Sequence, residues 1–216
     1  MRGKGKDIAQ MAEKRQRIME NGFRLFAEKG IESVTMPEIA AASNVSRASL
    51  YLYFSTKLEL VIAIAAWKWD EYITWHNGIL LPEELEKMTG AERLRFYLDA
   101  FLDLYRNHRD ILRFNYNFNS FLQHEAGTAE QKQPYFRVTE KMGEQFHELY
   151  QRGMSDGTLN PDISEQTMFS SSFHIMLAAV TRYAVGLAVV YEDGGDPESE
   201  LVMLKELLYT KYTQVK

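Results

Sequence analysis

Residues 35–57 constrain the fold most, because this stretch contains the start signals of three helices: TMPEIAAASNVSRASLYLYFSTK. Thr35 and Glu38 have the spacing of a capping box, in which each residue satisfies a backbone amide of the other. Ser46 is a suitable N-cap for a second helix, which we expect over residues 47–54. Helix starts this close together predict two short helices joined by a tight turn, followed by a longer helix.

The predicted turn covers residues 43–45, Ser-Asn-Val. Asn44 is the candidate for a positive φ, because asparagine enters the left-handed region more readily than most non-glycine residues. Ile39, Val45 and Leu50 supply a small apolar core between the two helices. The arrangement predicted is a helix-turn-helix, a motif whose second helix enters the major groove of DNA.

The outer face of the second predicted helix carries side chains suited to DNA. Arg47 can pair with a guanine edge, Ser49 can serve a base or a phosphate, and Ala48 can meet a thymine methyl. The hydroxyls of Tyr51 and Tyr53 suit phosphate oxygens. The alternative is that these tyrosines are only core aromatics.

Lys57 falls in the first turn of the third predicted helix, since Thr56 and Glu59 have capping-box spacing. The helix dipole disfavours a cation at that position. A bound phosphate would satisfy both the dipole and the lysine. The alternative is that Lys57 is simply solvated.

The string T-x-x-E-I-A-x-x-x-x-V-S-R-x-S-L-Y-x-Y-F-x-x-K-x-x-L resembles the DNA-binding domain of the TetR family of bacterial transcriptional regulators. The resemblance covers residues 12–62, and one departure is Asn44, where the family usually carries glycine. The rest of the chain is similar in length and helical character only. The resemblance implies that six residues contact DNA: Thr35, Arg47, Ser49, Tyr51, Tyr53 and Lys57. We add the neighbouring Ser46 and Ala48 to this set of predicted DNA-binding residues.

The charge distribution supports a DNA-binding N-terminal part. The whole chain has a formal charge of −5, but residues 1–60 hold ten lysines and arginines against seven acidic residues. Residues 61–216 hold fifteen against twenty-three. A basic head on an acidic body steers one end of a protein towards DNA. We therefore divide the chain into a helix-turn-helix domain, 1–60, and a helical effector-binding and dimerisation domain, 61–216.

The chain as a whole is predicted to be all-α. Only five prolines interrupt long stretches of helical apolar periodicity. There is no cysteine, which excludes disulfides and thiol chemistry and suits the cytoplasm. Residues 1–10 are basic without an apolar segment, so we expect a disordered arm rather than a signal peptide.

Helix bounds in the predicted body follow from periodicity and from glycine and proline. The first helix should end at Gly30, and residues 80–90 should form a linker with a short helical turn. Residues 114–118 alternate aromatic and asparagine like a strand, but also fit a helix, which we prefer. We expect the remaining helices over residues 57–77, 91–107, 134–156, 162–191 (with a capping box at Asp162 and Glu165) and 198–213.

An effector pocket in the body would need apolar walls with a few polar groups. The candidates are side chains of the long helices, although a plain hydrophobic core is an equal alternative for several of them. The residues that we predict to bind an effector are Trp67, Phe101, Tyr105, Phe114, Phe118 and His174.

The apolar run near residues 173–191 is almost long enough to span a bilayer. His174 and Arg182 within it argue against a membrane segment and favour a buried helix at a dimer seam. In the TetR family the last two helices pair with the same two helices of a second copy, which this chain resembles. The residues predicted for that interface are Ala178, Arg182, Gly186, Leu201, Leu204 and Leu208.

No catalytic, metal or cofactor site is expected. The five histidines are scattered, none with H-x-x-x-H spacing, and there is no phosphate-binding glycine loop. The leading hypothesis is a homodimeric repressor that a small apolar or aromatic effector releases from a palindromic operator in double-stranded DNA, with no membrane partner. The alternative is a helical small-molecule-binding or interaction protein whose DNA role is secondary or lost.

Overall fold

The computed structural model describes residues 2–125, 127–188 and 196–214, with side chains from residue 8 onwards. This part of the chain contains ten α-helices and no strand beyond one isolated bridge, Leu159 to Thr213. The prediction of an all-α fold is therefore confirmed. The helices are α1 Arg2–Lys29, α2 Met36–Ala42, α3 Arg47–Tyr53, α4 Lys57–Asn77, α5 Pro82–Lys87, α6 Gly90–Asn107, α7 Arg109–His124, α8 Ala129–Asp156, α9 Glu165–Ala184 and α10 Pro197–Tyr212.

By their packing, the helices divide into two compact units. The first consists of Met1–Asp70 and Arg113–Val138, and the second of Glu71–Leu112 and Thr139–Lys216. Helices α4, α7 and α8 each contribute residues to both units. The division at residue 60 concerns the functions of the two segments, and it remains a prediction.

The core of the first unit joins the N-terminal helices to the part of α7 that begins at Arg113. Phe23 of α1 lies 5.5 Å from Phe114, ring centre to ring centre, and Phe118 stacks on Phe114 at 6.0 Å. The side-chain amide of Asn117 donates to the backbone oxygen of Phe26 near the end of α1, at 3.2 Å. Residues far apart in sequence therefore complete the packing around α1.

The end of α1 agrees with the prediction, and its start does not. The helix stops at Lys29, and Gly30 follows with φ 85°, as the sequence predicted. The predicted disordered arm is wrong, because α1 already begins at Arg2. No proline occurs in this segment to stop the helix from extending backwards, and the two glycines within it only weaken the helix.

The second unit is built around α6, which packs on α9 and α10. The five apolar residues of α6 that the sequence placed inwards are all buried: Leu94, Leu98, Phe101, Leu102 and Tyr105. At its start α6 touches α8 backbone to backbone. A Cβ built on Gly90 would lie 2.0 Å from the Cα of Gly153, so only glycine fits at Gly90.

Helix α8 begins five residues earlier than predicted, at Ala129 rather than Pro134. Thr128 and Gln131 form the start signal that the sequence analysis missed. The Thr128 amide donates to the Gln131 side chain at 3.0 Å, and the Gln131 amide donates to the Thr128 hydroxyl at 3.3 Å. Pro134 therefore lies inside the helix. Its end at Asp156, followed by Gly157, agrees with the prediction.

Both predicted ends of α9 are wrong. Asp162 belongs to a turn, in which its amide donates to the side chain of Asn160, and Ser164 caps the helix instead. The helix stops at Ala184 because Gly186 takes φ 75°. Two backbone hydrogen bonds close its last turn: the Gly186 amide donates to the backbone oxygen of Tyr183, and the Leu187 amide donates to that of Arg182. The predicted end of the helix at residue 191 lies outside the described residues.

The remaining helix bounds predicted for the body are confirmed. Residues 109–124 form helix α7 and not a strand, and the linker at 80–90 contains the short helix α5. No single helix in the described ranges combines the length and apolar character needed to cross a membrane. One pair, α3 with α4, reaches those limits together but is bent by 60°.

Candidate nucleic-acid interface

Helix α2 starts with the predicted capping box. The Glu38 carboxylate accepts hydrogen bonds from the Thr35 amide at 2.7 Å and from the Thr35 hydroxyl at 2.8 Å. The Glu38 amide donates in return to the Thr35 hydroxyl at 3.4 Å. These bonds hold the pKa of Glu38 below its usual range, which keeps the carboxylate charged. The start of α2 is therefore fixed by two neighbouring residues.

The turn between α2 and α3 is fixed from two sides. Asn44 has φ 51°, as predicted, and the Val45 amide donates to the backbone oxygen of Ala40 at 3.0 Å. From α1, the Nε atom of Arg17 donates to the backbone oxygen of Ser43 at 2.9 Å. Helix α1 thus holds the turn in place, and the turn sets the position of α3.

We expect Asn44→Gly to keep the stability of the protein or to raise it slightly, because glycine adopts φ 51° without strain. Asn44→Val should lower the free energy of unfolding by roughly 1–2 kcal/mol, since a β-branched residue is strained in the left-handed region. Urea denaturation of both variants measures the difference. Equal stability of the glycine and valine variants would contradict this account.

Helix α3 is anchored by one buried side chain and leaves most of its surface free. Ser46 caps it by accepting a hydrogen bond from the Ser49 amide at 3.1 Å, and Leu50 is fully buried. The predicted DNA-binding residues of this motif lie on the accessible side, some exposed and some half-buried. Exposed are Thr35, Ser46, Arg47, Ala48 and Tyr51, and half-buried are Ser49 and Tyr53.

Leu52 is the residue of α3 that the sequence analysis missed. Its side chain is 87% exposed, more than any other large apolar side chain on the described surface. At about 100° per residue, Ala48 and Leu52 both lie opposite the buried Leu50, at the centre of the outer face. The sequence alone indicates this outward position, because Ala48 and Leu52 each stand two residues from the inward-facing Leu50.

Lys57 lies at the start of α4, whose cap is as predicted. The Glu59 amide donates to the Thr56 hydroxyl at 3.1 Å, and the Glu59 carboxylate accepts from the Ser55 amide at 2.7 Å. The Lys57 ammonium donates to the backbone oxygen of Glu32 at 3.3 Å and lies 5.9 Å from the ring centre of Phe121. Burial lowers the pKa of Lys57. A lysine with only part of its donor capacity used remains able to bind a phosphate.

The residues predicted to bind an effector do not all lie in one unit. Trp67, Phe114 and Phe118 belong to the first unit, where both phenylalanines are buried in the core. Phe101 and Tyr105 are buried in the second unit, and His174 is exposed on α9. Four of the six residues are therefore buried, two in each unit, whereas Trp67 is half-buried and His174 is exposed.

The residues predicted for a dimer interface also separate by exposure. Leu201 and Leu208 are buried within the second unit, and Leu204 is half-buried. On the outside of the same two helices, and in the turn that follows α9, lie three predicted residues and three apolar residues that the prediction omitted. The exposed set is Ala178, Arg182, Gly186, Ile175 (42% exposed), Met203 (60%) and Leu207 (62%).

Comparison with known proteins supports the helix-turn-helix. Residues 18–64 match the family model described as bacterial regulatory proteins, tetR family. The uncharacterized transcriptional regulator YerO of Bacillus subtilis is 28% identical over 131 residues, which are 60% of this chain and 43% of that protein. The chain thus covers less than half of that relative.

Two further similarities cover almost the whole chain. The transcriptional repressor KstR2 of Mycolicibacterium smegmatis is 22% identical over 202 residues, which are 90% of this chain and 91% of the repressor. A transcriptional regulator from Saccharomonospora viridis, solved in complex with choline, has 15% identity and a TM-score of 0.73. That structure matches 94% of this chain and 100% of its own length, and at this identity it establishes the fold alone.

Proposed function

We propose, from the premise that this chain belongs to the TetR family of bacterial regulatory proteins, that it is a homodimeric transcriptional repressor. It binds a palindromic operator in double-stranded DNA and releases it when a small, largely apolar or aromatic effector binds. The relatives and the fold are those of regulators and not of enzymes, in agreement with the expectation from the sequence.

The observation that carries the proposal is the outer face of α3. A short helix held by the buried Leu50 presents Arg47, Ala48 and Tyr51 to solvent. At about 1.5 Å per residue its seven residues span roughly 10 Å, close to the width of the major groove. In the groove, Arg47 would pair with guanine, and Ala48 with Leu52 would meet thymine methyl groups.

The remaining predicted residues of this face would fix the position of α3 along the DNA backbone. Thr35, Tyr53 and Lys57 stand at the edges of the motif, as suits phosphate contacts, which position a protein without reading sequence. Ser46 and Ser49 lie in the first turn and can serve a phosphate or a base. Because phosphate contacts release counterions, operator affinity should fall steeply as salt rises.

The second unit offers a face for pairing two copies. Met203 and Leu207 lie one turn apart on α10 and line an open groove of about 530 Å³. Ile175 and Ala178 are exposed on α9, which packs on α10. An exposed apolar face on two packed helices suits a two-fold interface, in which the same patch of each copy is used. Two reading helices would then meet half-sites roughly 34–36 Å apart, or a multiple of that distance.

We expect Leu207→Glu to convert the dimer into a monomer, because it would bury two carboxylates at the two-fold interface. Sedimentation equilibrium at micromolar concentration measures the mass. Leu81→Glu is the matched control, since Leu81 is a leucine of the same unit with similar exposure, 64% against 62%. A dimer of unchanged strength in the Leu207 variant would remove this face from the interface.

Support for a small-molecule effector comes from the body and from one relative in fold. The second unit holds a large set of aromatic side chains, several of them half-buried. The S. viridis protein was solved with choline, a small molecule, although its identity of 15% does not transfer that ligand to this chain. An effector acts only through its different affinity for the DNA-binding and the released states.

The test is selection of duplexes from a random DNA pool by the full-length protein at fixed salt. The expected result is an inverted repeat bound by two copies. Failure of the folded protein to enrich any sequence above non-specific binding would overturn the proposal. It would favour the alternative of a helical small-molecule-binding protein without a DNA role.

A further inference from the structure

Five aromatic side chains of the second unit form a closed circuit of ring contacts between α6, α8 and α9. Tyr97 and Phe101 of α6 lie 5.5 Å apart between ring centres, and Phe101 lies 6.0 Å from Phe173 of α9. Phe173 is 6.1 Å from Phe169, which is 5.2 Å from Phe146 of α8. Phe146 returns to Tyr97 at 5.1 Å. We call these five residues the aromatic circuit.

The aromatic circuit contains a single hydroxyl, that of Tyr97, and this oxygen is buried. It has no hydrogen-bond partner among the described residues. Burying a hydroxyl without a partner is costly, and native proteins rarely retain such a group without a reason. Burial raises the pKa of Tyr97, so the hydroxyl stays protonated and able to donate throughout the physiological range.

The rings of the circuit are not equally covered. Phe101 and Phe146 are 4% and 1% exposed, whereas Tyr97, Phe169 and Phe173 are only half-buried. Phe101 and Phe146 therefore belong to the core, whereas part of the surface of Tyr97 on α6 and of Phe169 and Phe173 on α9 stays accessible. Apolar surface around one convergent polar atom is the usual composition of a small-molecule site.

The charged group one turn from Tyr97 on α6 is a cation, which disfavours a cationic ligand at the Tyr97 hydroxyl. Arg93 lies one turn before Tyr97 on α6, and i, i+4 side chains share a face of a helix. The Arg93 guanidinium donates through Nη2 to the backbone oxygen of Leu85 at 2.7 Å, while its buried Nε has no partner in the described part of the chain. Two unsatisfied donors on neighbouring turns call for an acceptor atom in the ligand rather than for a positive charge.

We propose that the aromatic circuit is the effector site and that it takes an uncharged, mainly aromatic molecule whose carbonyl oxygen accepts the hydrogen bond of the Tyr97 hydroxyl. This inference rests on the proposed function, because it names the class of effector for that regulator. It differs from the residues predicted from sequence, of which only Phe101 belongs to the circuit.

The experiment compares two probes of nearly the same shape, 2-acetylnaphthalene, which has a carbonyl acceptor, and 2-ethylnaphthalene, which has none. Calorimetric titration of the full-length protein should give about tenfold tighter binding of the ketone. Tyr97→Phe removes the hydroxyl only, and it should bring the ratio of the two affinities to about one while the hydrocarbon still binds. The Tm of the free variant should stay the same or rise, because an unsatisfied buried group has been removed.

Tyr150→Phe is the matched control within the same unit. The Tyr150 hydroxyl donates to the backbone oxygen of Ile163 at 3.1 Å, so its removal should lower the Tm without changing the probe ratio. Three results would overturn the inference: no binding of either probe, an unchanged ratio in Tyr97→Phe, or a fall in Tm for Tyr97→Phe as large as for Tyr150→Phe.

Failure of this inference and failure of the proposed function can be told apart. Operator selection uses no probe, so it tests the regulator independently of the aromatic circuit. A protein that selects an inverted repeat but fails the probe comparison retains its proposed function and loses this site. A protein that discriminates the probes through Tyr97 but selects no DNA loses the proposed function instead.

Discussion

Arg47→Ala is expected to lower operator affinity by at least about 30-fold while the fold stays intact. A bidentate arginine–guanine pair contributes roughly 1–3 kcal/mol of discrimination, and a two-fold dimer loses two such pairs at once, about 2–6 kcal/mol. The Arg47 side chain is exposed and makes no hydrogen bond or ion pair within the described residues, so its removal leaves no buried group unsatisfied. Competition binding against the selected operator, with salt fixed, measures the change.

Arg24→Ala provides the matched control for the loss of one positive charge. Arg24 is an exposed arginine of α1 whose partner is Glu28, at 3.5 Å on the same helix. It should alter the affinity for all sequences slightly and leave base preference unchanged. If Arg47→Ala retained the sequence preference of the unmodified protein, Arg47 could not be the residue that reads a base.

The Gly90→Ala variant should lose about 3 kcal/mol of unfolding free energy or more. The new Cβ would lie 2.0 Å from the Cα and 2.3 Å from the amide nitrogen of Gly153. Because both atoms belong to the backbone of α8, no side chain can rotate away, and the two helices must separate. Overpacking of this kind typically costs about 1–3 kcal/mol and more where backbone must move. Denaturant titration followed by circular dichroism measures the loss.

The same substitution at Gly143 makes an informative comparison. A Cβ built there meets nothing within 4 Å, and the residue lies in the interior of α8. Gly143→Ala should therefore stabilise the protein by about 0.5–1 kcal/mol, since alanine favours the helix. A smaller loss at Gly90 than the gain at Gly143 would show that α6 and α8 adjust freely, contrary to the contact described above.

Features set by neighbouring residues were predictable from the sequence. The capping box of Thr35 with Glu38, the left-handed Asn44 and the end of α1 before Gly30 each depend on residues within one or two turns. The outer face of α3 follows from the same local rules. The roles of these residues were predicted from the family resemblance, and their exposure was predicted from helical periodicity.

Features that depend on distant residues were not predictable. Nothing in the segment around Gly90 indicates that Gly153, far along the chain, lies against it. The composition of the aromatic circuit also depends on which faces of α6, α8 and α9 meet, and many other aromatic residues compete for that role. The prediction of the end of α9 failed for a different reason, because Gly186 stands within an apolar run whose helical periodicity continues past it.

The packing of α7 against α1 has a consequence for biosynthesis. Phe23 and Phe26 of α1 are covered by Phe114, and Asn117 binds the backbone of Phe26, so these contacts join segments about ninety residues apart. The ribosome must therefore release residues 113–138 before the N-terminal motif can complete its core. A nascent chain that stalled earlier would carry exposed aromatic surface, which invites aggregation. Translation thus completes the packing around α1 only after residues 113–138 have also been synthesised.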